Sequence, residues 1–265
     1  MLIDTHAHLN FNAYKDDSDE VVGRSLSGGV WMINVGSQYS TSQRAVRMAE
    51  KYKQGVYAAV GLHPIHLGTG AVKMKNDIEE IEFETYGEEF DYAKYKELTG
   101  SSKVVAIGEI GLDYYRKTDR EKQLETLLRQ LDLAKELNLP AMFHCRSAHD
   151  DLIEILKIQE EIGGVIHCFT GTWEQAERYL EMGFYLGFDG IIFKLDLDGV
   201  FRKTPPERIL VETDCPYLMP LPVGGRNEPL NVRYIAQRIA EIKGMDYDAV
   251  ANITTQNAKT LFKIN

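Results

Sequence analysis

The chain has 265 residues, 44% of them hydrophobic, enough for one α/β barrel with a large core or for two small domains. A net charge of −10 excludes a broad basic surface for nucleic acid, so phosphates would have to be met by bound cations and a few well-placed Arg and Lys. No run is long enough to span a bilayer, no basic-then-apolar leader is present, and three scattered cysteines argue for a reducing, cytoplasmic setting over a disulfide framework.

The chain opens LIDTHAHLNF. If residues 2–8 are extended, Asp4, His6 and His8 leave on one face. They form either a hydrogen-bonded polar cluster or a metal site. Short Val/Ile-rich runs then recur. Strands are expected over 2–4, 30–35, 56–61, 104–109, 141–144, 165–168, 184–188 and 209–213. Continuous apolar runs suit parallel strands covered on both sides. Amphipathic helices lie between them. One spans 118–137, with Leu124, Leu127, Leu128, Leu131, Ala134 and Leu137 as its apolar stripe. Another spans 231–243 and ends at Gly244. Strand and helix eight times over predict a (β/α)8 TIM barrel in one domain, 1–265, with an open doubly wound sheet as the alternative. Residues 67–102 exceed what a crossover needs. They form an acidic insertion after the third strand, expected at the barrel mouth as a short hairpin around Tyr86-Gly87 followed by a helix.

Catalytic groups of such barrels sit at the C-terminal ends of strands. Here those ends carry His6 and His8, His63, Glu109, His144 and Arg146, His167, then Glu212 and Asp214. Singly, each is a turn residue, a cap or a core histidine. Together at one mouth they would be costly without partners, at several kcal/mol each. Four histidines with two carboxylates suit borderline divalent metals. Six ligands exceed what one catalytic ion with an open position takes, so two ions sharing Glu109 are expected. Strand alternation turns Cys145, Cys168 and Cys215 away from them as small core residues.

These residues lie in DTHAHL, GLHP, GEIGLDYY, FHCR, HCFTG, ETDCPYL and RNEP, in that order. The combination resembles the TatD family of metal-dependent deoxyribonucleases, within the amidohydrolase-like barrels, over almost the whole chain. The resemblance implies one metal held by His6, His8, Glu109 and Asp214, and a second held by Glu109, His144 and His167. It implies a cytoplasmic hydrolase of DNA phosphodiester bonds, a 3′-5′ exonuclease acting on single strands or strand ends. The FKLDLDGVFRKTPPER stretch departs from the family in being short, and 67–102 in being long.

The expected cofactors are two divalent ions per chain, zinc, manganese or magnesium, with a third held by Glu212 and His63 as a further option. Such a pair suits hydrolysis by an activated water. Asp214 is the candidate proton acceptor, with Glu109 bridging and Glu212 in support. His63, Arg146, Lys194 and Arg226 are the candidate substrate contacts; Arg226 equally suits a role in pinning the last loop. A monomer without membrane contact is expected. The competing reading is an ester hydrolase on the same site, such as a D-aminoacyl-tRNA deacylase; a non-catalytic barrel would not need all six ligands.

Overall fold

The computed structural model describes residues 1–75, 80–116, 119–159, 161–221 and 223–265. Its strands are β1 (Leu2–Ala7), β2 (Val30–Val35), β3 (Val56–Val60), β4 (Thr69–Lys75), β5 (Glu80–Tyr86), β6 (Val104–Asp113), β7 (Ala141–Arg146), β8 (Gly164–Ile166), β9 (Tyr185–Phe188) and β10 (Ile209–Val211). Eight of them form one parallel sheet in the order β1-β2-β3-β6-β7-β8-β9-β10. The sheet curls until its edges meet. His8 N donates to Cys215 O at 2.9 Å, Asp214 N donates to His6 O at 2.9 Å, and Ala7 bridges to Cys215. The result is the expected TIM barrel. All eight expected strands form; β1, β6 and β7 run further than their apolar runs, and β8 and β10 stop sooner.

Two apolar layers hold the barrel. Ile3, Ile33, Val35, Tyr57, Val105, Met142, Val165, Tyr185 and Leu210 fill its lower interior. Phe262 and Ile264, at the end of the last helix, pack into this cluster and plug the bottom. The second layer lies between the outer face of the strands and the surrounding helices. Burying each large aliphatic side chain contributes roughly 1.5–3 kcal/mol. With its floor filled, the barrel leaves its polar groups at the other end.

The helices are α1 (Ser18–Ser27), α2 (Tyr39–Glu50), α3 (Tyr92–Leu98), α4 (Arg120–Leu137), α5 (His149–Ile158), α6 (Trp173–Glu181), α7 (Asp198–Lys203), α8 (Val232–Lys243) and α9 (Tyr247–Phe262). The seventh crossover is indeed short, a six-residue α7. Helix α8 ends as expected, at a left-handed Gly244.

Helix α4 begins after its cap Asp119, which accepts from Glu121 N and Lys122 N; the expected start at Thr118 lies outside the described residues. Its buried face is rotated from the expected stripe. Leu124 is 38% exposed, while Gln123 and Gln130, one heptad apart, are buried. Gln130 accepts from Leu62 N at 2.7 Å and donates to Leu62 O at 3.0 Å. Gln123 does the same for Asp113, at 2.8 and 3.0 Å. Each amide thus satisfies both backbone groups of a residue at a strand end, which outweighs the apolar preference for Leu124.

The acidic segment forms a hairpin followed by a helix, but in a different register from the one expected. Tyr86 pairs with Thr69 at the open end of β4–β5, and Gly87 follows with φ +71°. At the other end of the hairpin Lys75 pairs with Glu80, and 76–79 between them lie outside the described residues. Glu88 ties the segment down: its Oε1 accepts from Tyr39 N at 3.0 Å and from the Tyr95 hydroxyl at 2.9 Å.

Candidate metal centre

One-residue bulges decide which polar groups face the mouth. In β1, Asp4 pairs with Met32 but Ala7 with Asn34. Ile3 belongs to the inner cluster and Ala7 to the outer one, although strict alternation would give them one face. The bulge reverses the phase, so His6 and His8 turn to the mouth and Asp4 does not. The Asp4 carboxylate accepts from Thr213 N at 2.9 Å and Thr213 Oγ1 at 2.6 Å. This corrects the expectation of one face for all three. Strand β6 repeats the device: Ile107 pairs with Ala141 but Ile110 with Phe143, and both isoleucines lie in the outer layer. Glu109, between them, is turned inward. Gly61 permits the close approach of β3's end, since a Cβ there would stand 2.7 Å from the Gly108 carbonyl carbon. Re-aiming a side chain is what bulges beside active sites do.

Glu109 is buried, and its two oxygens face different histidines. Oε2 lies 3.5 Å from His6 Nε2; Oε1 lies 3.1 Å from His144 Nδ1 and 3.4 Å from His63 Nε2. Asp214 Oδ1 lies 3.2 Å from His8 Nε2, 3.8 Å from His167 Nε2 and 4.0 Å from His6 Nε2. The His6 and His167 rings stack with centroids 3.5 Å apart. Among the described residues, groups with donor atoms within 4.8 Å of one another are His6–His8–Glu109, His63–Glu109–His144, His6–His167–Glu212 and His167–Asp189–Asp214. His63 therefore stands with Glu109 and His144, not with Glu212. His63 and Glu212 sit in different groups, as do His167 and the Glu109–His144 pair.

The electrostatics suit cations. Burial, helped by His167, lowers the His6 pKa to about 4, so the ring is neutral with free lone-pair capacity. Its Nδ1 and Nε2 are both buried without a hydrogen-bond partner. A buried imidazole left that way is costly unless an electrophile takes the lone pair. Burial works to raise Glu109, but His63, His144 and His6 hold its carboxyl well below the usual range. Burial likewise opposes ionisation of Asp214, and His8 and His167 overcome it. A neutral His6 ring with both nitrogens buried and unpartnered, beside the ionised Glu109 and Asp214 carboxylates, forms a donor set that fits divalent ions.

A second layer carries Glu212 together with Asp113 and Asp189, two carboxylates that strand-end counting missed. Asp113 closes β6; its Oδ2 lies 3.3 Å from His144 Nε2. Burial alone would lower His144; the Asp113 and Glu109 carboxylates raise it to about 9. Glu212 stands behind His167, with Oε1 2.8 Å from Nδ1, and accepts from Cys168 N at 2.7 Å. It fits only because Gly187 is opposite, where a Cβ would stand 2.6 Å from Oε2. Asp189, capping the turn after β9, is fully buried; Oδ1 accepts from Ile191 N while Oδ2 has no hydrogen-bond partner. Its signal was a carboxylate ending an apolar run, FYLGFD. Cys145 and Cys215 are core residues as expected. Cys168 is not turned away: β8 ends at Ile166, alternation lapses, and the thiol lies by Asp189, its pKa raised by burial and by that carboxylate.

The candidate substrate contacts are dispersed. His63 is buried in the centre, and Arg146 is exposed at the end of β7. Lys194 is exposed after the Gly190–Phe193 turn. Arg226 is bound to Asp17 and the Ala13 carbonyl and stacks on Tyr14, so it pins the last loop.

Residues 3–263 match the family model described as TatD related DNase. An uncharacterized metal-dependent hydrolase, YabD, of Bacillus subtilis is 44% identical over the full length of both chains. A 3′-5′ ssDNA/RNA exonuclease, TatD, of Escherichia fergusonii is 34% identical, again over all of both chains. The crystal structure of YjjV, a TatD homolog from Escherichia coli K12, superposes with a TM-score of 0.86 at 30% identity, over 100% of this chain and 98% of that one. A match of this extent identifies the chain as a member of the TatD-related DNase family of metal-dependent hydrolases.

Proposed function

We propose that this hydrolase removes nucleotides from the 3′ ends of single-stranded DNA, using two divalent ions that share Glu109. The observation that carries the reading is the division of the Glu109 carboxylate, one oxygen toward His6 and the other toward His144 and His63. His6, His8 and Glu109 would hold one ion, with Asp214 by the family pattern; Glu109, His144 and His63 would hold the second, with His167 by the family pattern. Such ions supply an activated water and neutralise charge on the phosphate. The family description and the name of the E. fergusonii relative support nucleic acid as substrate.

The chain's residues do the rest. The Asp214 carboxylate, held ionised beside His8, receives the proton of the attacking water. Glu212 orients His167 through Nδ1, and Asp113 orients His144 through Nε2. Arg146 offers its fork to a phosphate oxygen from the mouth. Residues 1–265 work as one unit, with 67–102 as a lip at the mouth.

The test is hydrolysis of 5′-labelled single-stranded and duplex DNA by protein stripped of metal and reloaded with Mn²⁺ or Mg²⁺. Stepwise shortening of the single strand, absent in the stripped protein, is expected. No cleavage of any strand by reloaded protein, with release of the amino acid from a D-aminoacyl-tRNA, would replace the nuclease reading with the ester hydrolase.

A further inference from the structure

Beside the metal centre the mouth carries an aromatic side chain left in solvent. Tyr115 is 66% exposed, two residues beyond the end of β6. It is nonetheless held. Asp113 Oδ1 accepts from Tyr115 N at 3.0 Å and from Arg116 N at 3.3 Å, while Oδ2 faces His144. Tyr114 N donates to Arg146 O at 2.9 Å, tying the same loop to β7. One carboxylate therefore sets both the His144 ring and the backbone that presents Tyr115. The Arg146 guanidinium lies 3.8 Å from the centroid of the Tyr115 ring. Arg146 is itself exposed and lies two residues beyond His144 on β7, across the ladder from Asp113.

A cation stacked on a tyrosine at an exposed site gains only modestly, so the pair is available to a ligand. One ring face is taken by Arg146. The residue is 66% exposed, so much of the ring remains accessible to a base. A flat aromatic face beside a guanidinium, held by backbone bonds at a fixed place near the centre, matches one nucleotide of a single strand. The base stacks on the ring, and the phosphate meets the arginine edge. Every base has a π-face, so the contact does not depend on sequence. A base inside a duplex has both faces already covered by its neighbours and cannot use it.

Resting on the nuclease reading above, we infer that Tyr115 and Arg146 form a stacking platform for an unpaired base near the scissile phosphate. The platform makes the enzyme select single strands. Tyr115 acts in strand binding rather than in bond cleavage.

The experiment uses the Mn²⁺-loaded enzyme and its Tyr115→Ala, Tyr115→Phe and Tyr115→Trp variants. The substrates are a labelled single strand and the same strand with its last three 3′ nucleotides made abasic. Tyr115→Ala is expected to raise KM on the intact strand about tenfold, as loss of one stacked base does, while Phe and Trp stay near the parent. On the abasic strand the parent should show the same raised KM, and Tyr115→Ala should add less than about twofold. An unchanged KM for Tyr115→Ala on the intact strand overturns the platform. So does an equal loss on both strands, or a loss in Phe and Trp equal to that in Ala, each of which makes Tyr115 a structural residue. A parent enzyme that cuts neither strand overturns the nuclease reading itself, and it does so before any variant is compared.

Discussion

Asp113 Oδ2 lies 3.3 Å from His144 Nε2, on the side of the ring opposite the nitrogen that faces Glu109. A carboxylate there fixes the ring's orientation and makes the other nitrogen a better donor. It also stabilises the protonated ring: burial opposes the charge, yet Asp113 and Glu109 raise His144 to about 9.

Asp113→Asn keeps the shape and removes the charge. In the metal-free protein the imidazole of His144 should then titrate lower than about 9, because a neutral amide no longer favours the cation. Activity or metal affinity should fall by about 10- to 100-fold. Both are readable, by histidine ¹⁵N NMR titration of stripped protein and by steady-state rates of reloaded protein. A His144 titration unmoved by the substitution would show that Asp113 does not govern the ring.

Gln130→Met tests the amide that serves Leu62. The methionine fills similar volume but leaves Leu62 N and O without the partners they now have at 2.7 and 3.0 Å. Two buried backbone groups left unpaired should cost roughly 3 kcal/mol of stability. Urea unfolding of the metal-free protein measures it. A loss below about 0.5 kcal/mol, the range of ordinary surface changes, would mean that both groups find other partners.

Residues 67–102 hold nine acidic and four basic residues and leave the barrel at the mouth. Their field should disfavour the middle of a long polyanion and admit a strand end. Replacing 70–85 by a two-residue turn removes five acidic and two basic residues and leaves the Glu88 and Tyr95 anchor in place. Cleavage of circular single strands should rise at low salt, and the gain should shrink as salt shortens the Debye length toward about 8 Å at physiological strength. An unchanged ratio of end to internal cleavage at every salt concentration would reduce the hairpin to cover.

The strands could be read because a parallel barrel buries both faces of each, so Val30–Val35 and its like stand out as unbroken apolar runs. Because strand ends open the mouth, the polar residues ending those runs come together there. The bulges could not be read. An inserted residue in β1 or β6 leaves composition unchanged and shows only against a partner strand, so the alternation alone groups Asp4 with His6 and His8. Gln123 and Gln130 escaped because a buried amide paired with backbone looks, in sequence, like a solvated face. Asp189 caps the turn after β9, a role any Asp after a strand serves; its unpartnered second oxygen is what the sequence hides. Tyr86-Gly87 resembled a hairpin tip because a glycine at positive φ serves a strand end as well as a turn.

Whether two ions share Glu109 is decided by anomalous diffraction from crystals of the parent protein and of Glu109→Gln, each stripped and soaked in Mn²⁺. The parent should show two peaks, one on each side of the Glu109 carboxylate, the first among His6, His8 and Asp214 and the second beside His144. Glu109→Gln should lose at least one, since glutamine cannot offset the repulsion of paired cations, and its turnover should fall about a hundredfold or more, roughly 3 kcal/mol in barrier. A single peak in the parent, or two peaks in the variant with near-normal turnover, would contradict a shared carboxylate.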